Sequence, residues 1–343
     1  MVKAQSGSRQ KHYTIPVFIP GIACPFQCIF CDQEKITGHH NLPTPEEVLQ
    51  TIRQHLSTIP DPGSITEIGF FGGTFTGLPL NTQEMYLNLV RPFLKEGSVS
   101  GIRLSTRPDY ITFGILDHLQ KYQVTTIELG AQSMHDVVLR SSFRGHSSAE
   151  TEKSASMIKK RGFSLGLQMM IGLPGDSEDT DRLTVEKFIE MEADFVRVYP
   201  VLVIRGTPLE TLFKSGEYRP LTLEEAVSRA KNVLQVFDLH SIPVIRMGLH
   251  PSDGLLNHTD LVAGPFHPSF REFVLTSIWY DRILGSINGI VNRKITITVN
   301  PSDLNHAIGY YGRNRNALLE RFEKVVFKSD PSLEVKEFHV DYY

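Results

Sequence analysis

The sequence predicts an α/β fold: a partial or full (β/α) barrel followed by a small α+β domain. Three observations lead there. Short β-rich apolar runs alternate with amphipathic helical patterns as far as residue 285. Near residue 286 the texture changes to a strand–helix–helix–strand unit. At 343 residues the chain is long enough for one large domain and a small appendage.

Strands are expected at Ile15–Ile19, Ile65–Phe71, Ile102–Ser105, Thr126–Leu129, Ser164–Ile171 and Phe195–Tyr199. Helices with readable ends lie between and after them. Thr44, Pro45 and Glu47 form an N-cap, a first-turn proline and a capping-box acid ahead of Val48–Leu56. Ala149–Lys160 is helical and stops at Gly162, a C′ residue. Thr222 and Glu225 repeat the capping box ahead of Ala226–Phe237. This βα alternation fits a barrel with its active site at the C-terminal strand ends, and a doubly wound sheet is the alternative. Past Leu284 come the strand Ile295–Val299, a short helix Pro301–Ile308, a second helix Asn314–Phe322 and a last strand Leu333–Val340. The expected domains are therefore 1–285 and 286–343.

Composition narrows the class. With 41% hydrophobic and 21% charged residues and a net charge of -3, the chain is of ordinary globular type. It carries no global basic signal, so any nucleic-acid contact must be local. No run approaches the roughly 20 apolar residues that span a bilayer. Met1 to Lys11 is polar and mildly basic with no apolar core after it, so no membrane role and a cytosolic location are expected.

Chemistry is concentrated in one segment. The three cysteines fall within eight consecutive residues as Cys24-x3-Cys28-x2-Cys31, directly after the first expected strand. An odd number so close together excludes a complete disulfide framework. Three thiolates on a tight loop can ligate three irons of a [4Fe–4S] cube and leave the fourth iron open. Three buried structural cysteines, or a zinc site completed by His39 or His40, are the other readings of the spacing. Gly72-Gly73-Thr74-Phe75 follows the second strand, where glycines allow close approach of backbone to a ligand.

These motifs resemble the radical S-adenosylmethionine (SAM) family, with Phe30 as the aromatic residue before the last cysteine. Further motifs are Thr106-Arg107-Pro108-Asp109-Tyr110, Glu128-Leu129-Gly130-Ala131-Gln132-Ser133, Arg144-Gly145-His146 and Tyr199 to Thr207. Together they are similar to the radical SAM domain of the Elongator catalytic subunit family over about residues 14–285. More loosely they resemble oxygen-independent coproporphyrinogen oxidases. The resemblance implies a [4Fe–4S] cluster on Cys24, Cys28 and Cys31, whose open iron chelates SAM, and reductive release of a 5′-deoxyadenosyl radical. It also implies that Gly72, Gly73 and Thr74 meet the methionyl amino group. Gln132, Arg144 and Gln168 would meet the ribose or carboxylate, with Arg144 as a fork for the carboxylate. Ser105 stands where relatives carry a glutamate, so that ribose contact is weaker or differently made. The cysteines are also closer together than in Elongator proteins. The resemblance does not extend to an acetyltransferase domain, so acetyl-derived carboxymethylation is not expected. Without further cysteines no auxiliary cluster is expected either.

Other charged residues have plainer readings. Arg107 and Asp109 can pair at a strand end, and Arg205 can tie the last barrel strand or meet substrate. His250 and His267 are loop residues that close the fold or touch substrate.

In the C-terminal unit, Ile308-Gly309-Tyr310-Tyr311-Gly312-Arg313-Asn314-Arg315 resembles the GxxG loop of KH domains. There two helices meet at a turn whose backbone and flanking basic residues clamp nucleotides. Gly309, Tyr310, Tyr311, Gly312, Arg313 and Arg315 are the expected RNA contacts, the tyrosines by stacking on bases. A plain helix–helix turn is the other reading. The function expected from the whole is radical-based modification of RNA, tRNA foremost, with a reducing donor such as flavodoxin or ferredoxin. The rivals are a small-molecule radical SAM enzyme, such as a porphyrinogen-type oxidase, and a cluster-bearing RNA-binding regulator without turnover.

Overall fold

The computed structural model describes residues 11–20, 24, 28–39, 41–60, 63–287 and 294–343. Residues Met1 to Gln10, Pro25 to Gln27 within the cysteine loop, and His40 lie outside the described residues, as does the 288–293 junction.

Seven strands form one parallel sheet: β1 His12–Ile19, β2 Ile65–Gly72, β3 Gly101–Thr106, β4 Val124–Gln132, β5 Ser164–Ile171, β6 Phe195–Pro200 and β8 Val244–Met247. The spatial order follows the chain order, with the two-residue β7 Val203–Ile204 standing outside. A doubly wound sheet would reverse its order at a switch point. This one does not, so the barrel reading holds, as an open arc whose edges are β1 and β8. The seventh strand escaped the sequence reading. It has only four residues, one of them Arg246, so it offers no apolar run.

α1 Gln33–Thr37 borders the cavity, and the helices that follow are α2 Pro45–Thr58, α3 Leu80–Glu96, α4 Phe113–Lys121, α5 Asp136–Ser141, α6 Ser148–Lys160 and α7 Glu178–Glu190; α2, α3, α4, α6 and α7 cover the outside of the arc. After β6 come α8 Pro208–Ser215, α9 Leu223–Leu239, α10 Asp253–Leu256 and α11 Phe270–Ser286. Both expected capping boxes form, with Glu47 N donating to Thr44 Oγ1 at 3.3 Å and Glu225 N to Thr222 Oγ1 at 3.2 Å. Gly162 follows α6 with φ of 78°, as a C′ residue should.

Strand alternation divides the sheet into two unlike faces. Ile68, Leu104, Ile127, Leu167 and Val196 point outward into a core shared with Val48, Leu87, Leu116, Ile158 and Phe237 of the helices. On the inner face stand Arg103, Ser105, Gln168, Arg197 and Arg246, which line a cavity of about 2060 Å³. Apolar burial against the helices holds the sheet and leaves its inner face free for polar chemistry.

The C-terminal unit is a three-stranded sheet, with β10 Lys294–Val299 in the middle. It is flanked by β11 Lys324–Ser329, parallel, and β12 Phe338–Tyr342, antiparallel. β9 Leu261–Ala263 belongs to a separate pair with β7. The expected helix Pro301–Ile308 is a 3-10 turn over Pro301–Asp303 running into α12 Leu304–Ile308, and the second helix is α13 Arg313–Leu319. The expected last strand Leu333–Val340 is corrected to β12. Two turns occupy 330–337, closed by Asp330 over Ser332 and by Glu337 over Glu334, and they leave Val335 in solvent. β11 was not anticipated at all, because its Lys324 and Lys328 mask a half-buried strand. The unit's core of Ile295, Ile297, Val299, Ala307, Leu318 and Phe322 also takes Trp279 and Ile283 from α11. That helix therefore packs against both units.

Candidate active site

The cysteine loop leaves the C-terminal end of β1 and turns into α1. Cys31 N donates to Cys28 O at 3.1 Å, which makes a tight turn over Ile29 and Phe30. Ile29 N donates to Ser142 O at 3.2 Å and Leu209 N to Ile29 O at 2.9 Å, which pins the loop between α5 and α8. Cys28, Ile29 and Phe30 are buried with Val138, Leu173, Val203 and Leu209. The Cys28–Cys31 turn is thus seated on its buried side.

Each sulfur has a polar neighbour. Cys24 Sγ lies 3.1 Å from Thr74 Oγ1, Arg144 Nη1 donates to Cys28 Sγ at 3.4 Å, and Gln33 Nε2 donates to Cys31 Sγ at 3.3 Å. Donors aimed at sulfur stabilise thiolates and are the usual outer shell of a metal ligand. Burial, then the nearby Cys28, pushes the Cys31 thiol up to about 12. Thiolates carried on one short loop repel one another unless a cationic centre offsets their charge. Among the described residues no three His, Cys, Asp or Glu side chains gather as they would around one ion. Three cysteines on one loop match a cube that takes one thiolate per iron and leaves the fourth iron open, whereas a structural zinc takes four ligands. His39 stacks on Phe18 at 5.2 Å between ring centres.

Gly72 and Gly73 line the cavity beside this loop. Their need for glycine is first of all structural. A Cβ on Gly72, at φ of 103°, would stand 2.6 Å from Ile19 O, and one on Gly73 would stand 2.8 Å from Pro20 O. Only bare backbone lets the end of β2 pass that close to the end of β1.

Gln132 and Arg144 meet over Gly130. Arg144 Nη2 donates to Gly130 O, and a Cβ on Gly130 would lie 2.8 Å from Arg144 Nη2 and 3.0 Å from Gln132 Nε2. Gln132 ends β4 with φ of 69°, an unusual conformation for a non-glycine residue. Gln132 Oε1 and Arg144 Nε are buried without a hydrogen-bond partner. Orphaned polar atoms beside the cysteine loop suit a polar cofactor better than an apolar one. Burial, then Arg144 and Arg107, lowers the neighbouring His146 to about 2 and keeps it neutral.

Below this layer a charged and polar lattice crosses six strands, β1 to β6. Glu128, wholly buried on β4, accepts from Arg103 Nη1 at 3.1 Å, Arg197 Nε at 2.6 Å, Arg197 Nη2 at 2.9 Å and Gln168 Nε2 at 2.9 Å. Gln168 Nε2 also donates to Ser105 Oγ at 3.2 Å. Glu67 takes Arg103 from the other side, at 2.6 Å, and His12 at 2.9 Å. Burial alone would raise Glu67, but His12 and Arg103 overcome it and hold the carboxyl near 2. The sequence reading missed the roles of Arg103, Arg197 and Arg246. The available signal was a charged residue inside an otherwise apolar strand, which marks a polar inner face.

The remaining candidates separate clearly. Arg107 forks onto Asp109 at 2.9 and 3.0 Å, the pairing expected from their spacing. Arg205 Nε donates to Thr259 O at 2.8 Å and ties the β7 segment to the loop before β9. His250 lines the cavity. His267 instead packs edge-on against Phe273 and Tyr310. Tyr310 rests on Phe273 of α11, and its N–H donates to Thr276 Oγ1 at 2.9 Å. Asn314 Nδ2 closes the turn by donating to Thr276 O and Ala307 O. Half of the Gly309–Gly312 loop thus faces the barrel helix, while Tyr311, 88% exposed, and Arg313 and Arg315 face solvent. No helix among the described residues is long and apolar enough to cross a membrane.

Comparison with known proteins agrees with this geometry. Residues 18–188 match the Radical SAM superfamily, and residues 193–279 match the Radical_SAM C-terminal domain. The chain is 28% identical over 204 residues to a tRNA uridine(34) acetyltransferase of Methanocaldococcus infernus, covering 53% of this chain and 38% of that protein. It is 33% identical over 194 residues to Elongator complex protein 3 of Mus musculus, covering 48% of this chain and 35% of that one. The chain therefore spans well under half the length of these curated relatives. An uncharacterized protein of Methanocaldococcus jannaschii is 30% identical over 241 residues, 66% of this chain and 72% of its own length. Among solved structures, archaeal Elp3 of Methanocaldococcus infernus with residues 1–46 deleted aligns with a TM-score of 0.61 at 22% identity. That alignment covers 81% of this chain and 64% of that one, and it shows a shared fold. Sequence match, open parallel barrel and cysteine loop agree: the chain belongs to the radical SAM superfamily.

Proposed function

We propose that this chain is an RNA-modifying radical SAM enzyme with tRNA as its substrate. The observation that carries the first half is the placing of three cysteines, each beside a hydrogen-bonding group, with Thr74, Gln132 and Arg144 along one large cavity. Members of the superfamily use a [4Fe–4S] cluster and SAM. Cys24, Cys28 and Cys31 would hold the cluster, which with SAM bound supplies a 5′-deoxyadenosyl radical on one-electron reduction. Phe30 would shield it on the protein side. Gly72, Gly73 and Thr74 would flank the methionyl amino group, Arg144 and Gln132 would offer their unused polar atoms to the carboxylate and ribose, and Ser105 and Gln168 would border the ribose. The reducing partner would be a flavodoxin or ferredoxin, and the compartment the cytosol.

RNA as substrate is supported by the relatives, whose names include tRNA uridine(34) acetyltransferase. It is also supported by the β-α-GxxG-α-β order of the C-terminal unit. In this reading residues 1–285 form the radical-generating domain and 286–343 the RNA-binding one. Tyr311, Gly312, Arg313 and Arg315 would meet the phosphates and bases, while Gly309 and Tyr310 hold the loop to α11. A small-molecule substrate is the second reading, favoured by the packing of Tyr310 on α11, which gives the loop a structural task of its own.

The test has two stages. Anaerobically reconstituted protein should carry about four irons per chain and cleave SAM under reduction, and Ala at Cys24, Cys28 or Cys31 should abolish both. Retained cleavage in any of these variants would sink the cluster assignment. Nucleosides from cells lacking the gene should then lose one modified species by mass spectrometry. An unchanged profile would favour the small-molecule reading.

A further inference from the structure

Among the described residues the arc does not close: β1 pairs with β2 alone and β8 with β6 alone. At the top the loops beyond these edges touch, with Ser252 Oγ donating to Lys35 O at 3.1 Å. Below that bridge the β8 wall of the cavity carries Arg246, the register partner of Arg197.

The two arginines differ in one respect. Arg197 spends its fork on Glu128. Arg246 has no carboxylate within ion-pair distance among the described residues. Its Nε donates to Gly248 O at 3.2 Å, and neither terminal nitrogen has a hydrogen-bond partner among the described residues. Arg271 lines the same cavity and is anchored in the same way, through Nη1 to Val244 O at 2.9 Å. Tyr199 and His250 complete the wall. The carboxylates that line the cavity are engaged or belong to its rim. Asp194 pairs with Lys159 and Asp32 with Lys35, Glu34 lies on α1 at the β1 side, and Asp253 and Asp260 belong to the segment beyond β8. Burial, partly offset by Tyr199 and reinforced by Arg197, lowers Arg246, and burial followed by Arg246 lowers His250.

A half-buried guanidinium without a counter-charge is unfavourable in a folded chain unless a ligand supplies one. In a concave site of low dielectric it concentrates positive potential. With Nε held by a backbone carbonyl, the terminal nitrogens present a planar fork suited to a phosphate. We propose that Arg246, supported by Arg271, Tyr199 and His250, is a phosphate-binding subsite that seats the phosphodiester next to the reacting nucleotide at the β1–β8 gap. This rests on the RNA reading of the function, and the experiment separates the two.

The iron-loaded chain is titrated with unfractionated tRNA at several salt concentrations, and separately with inorganic phosphate followed by 31P line broadening. Arg246→Gln should lower tRNA affinity about tenfold and reduce the slope of log K against log salt by about one, the signature of one lost phosphate contact. It should also remove the phosphate broadening, and Arg246→Lys should restore part of both. Unchanged iron content and circular dichroism certify the fold. Loss of phosphate broadening with tRNA affinity and slope intact would support the anion subsite and overturn RNA as its ligand, pointing to a phosphorylated small molecule. Unchanged phosphate broadening and unchanged tRNA binding would overturn the subsite and leave the RNA reading to its own test. A fall in SAM affinity with phosphate broadening unchanged would also overturn it, because the fork would then serve the cofactor.

Discussion

Replacing Glu128 by alanine tests whether the charged lattice organises the inner face of the sheet. Glu128 is wholly buried and accepts four hydrogen bonds, three of them from guanidinium groups. On truncation Arg103 keeps Glu67, at 2.6 Å, but Arg197 loses its carboxylate. Breaking a buried pair costs about 3–5 kcal/mol, because the stranded charge stays desolvated. Arg197 borders a cavity of about 2060 Å³, so water can reach part of it. The loss should therefore fall at the low end, about 3 kcal/mol. Glu128→Gln keeps one acceptor oxygen and should lose about half as much. In a cycle with Arg197→Met the two substitutions should couple by about 1–3 kcal/mol, since Met leaves no charge behind. Urea unfolding followed by circular dichroism measures all three. SAM affinity should fall too, because Gln168 is held by Glu128 and Ser105. A loss below about 1 kcal/mol with no coupling would refute the reasoning, since the lattice would then behave like solvated surface pairs.

Arg144→Ala should weaken SAM binding by about ten- to a hundredfold, through loss of one charge-assisted contact, while iron is retained. Equal SAM affinity measured by equilibrium dialysis would return Arg144 to the scaffold. Tyr311→Asp, at the exposed tip of the GxxG loop, should lower RNA affinity at least tenfold and leave stability unaltered. Tyr310→Ala should instead cost about 1–3 kcal/mol of stability through its ring contacts with Phe273 and His267, so the reverse pattern would contradict the division of the loop. Burial, reinforced by Asp176 and only partly offset by Arg229, raises Asp181 from 3.8 to about 7. A carboxyl raised on folding adds stability in full below about pH 4 and loses it as the pH climbs towards 7, on the order of a few kcal/mol. Wild type should therefore lose stability relative to Asp181→Asn between pH 4 and 7, and parallel curves would exclude the effect.

Some of this protein was determined by local sequence alone. Capping boxes at Thr44 and Thr222, the β-branched runs of β2 and β5, and Gly162 act within a few residues, so they read correctly without a fold. The cysteine spacing is local in the same sense, since it confines three cysteines to the segment that follows β1. Other features needed tertiary structure. Arg246 on a four-residue strand shows its missing counter-charge only once β6 and β8 are side by side. The glycine at Gly130 is explained by two side chains, Arg144 from beyond α5 and Gln132 from the end of β4, that crowd the space above it. Leu333–Val340 alternates like a strand, yet Asp330 and Glu337 bend it into turns and the edge of β10 goes to β12 instead. Tyr310 and Tyr311 are adjacent and chemically identical, but α11 covers one and leaves the other in solvent. Local patterns fix which way a short segment bends, whereas burial and pairing of charge depend on residues distant in the chain, and those meet only when the sheet curls.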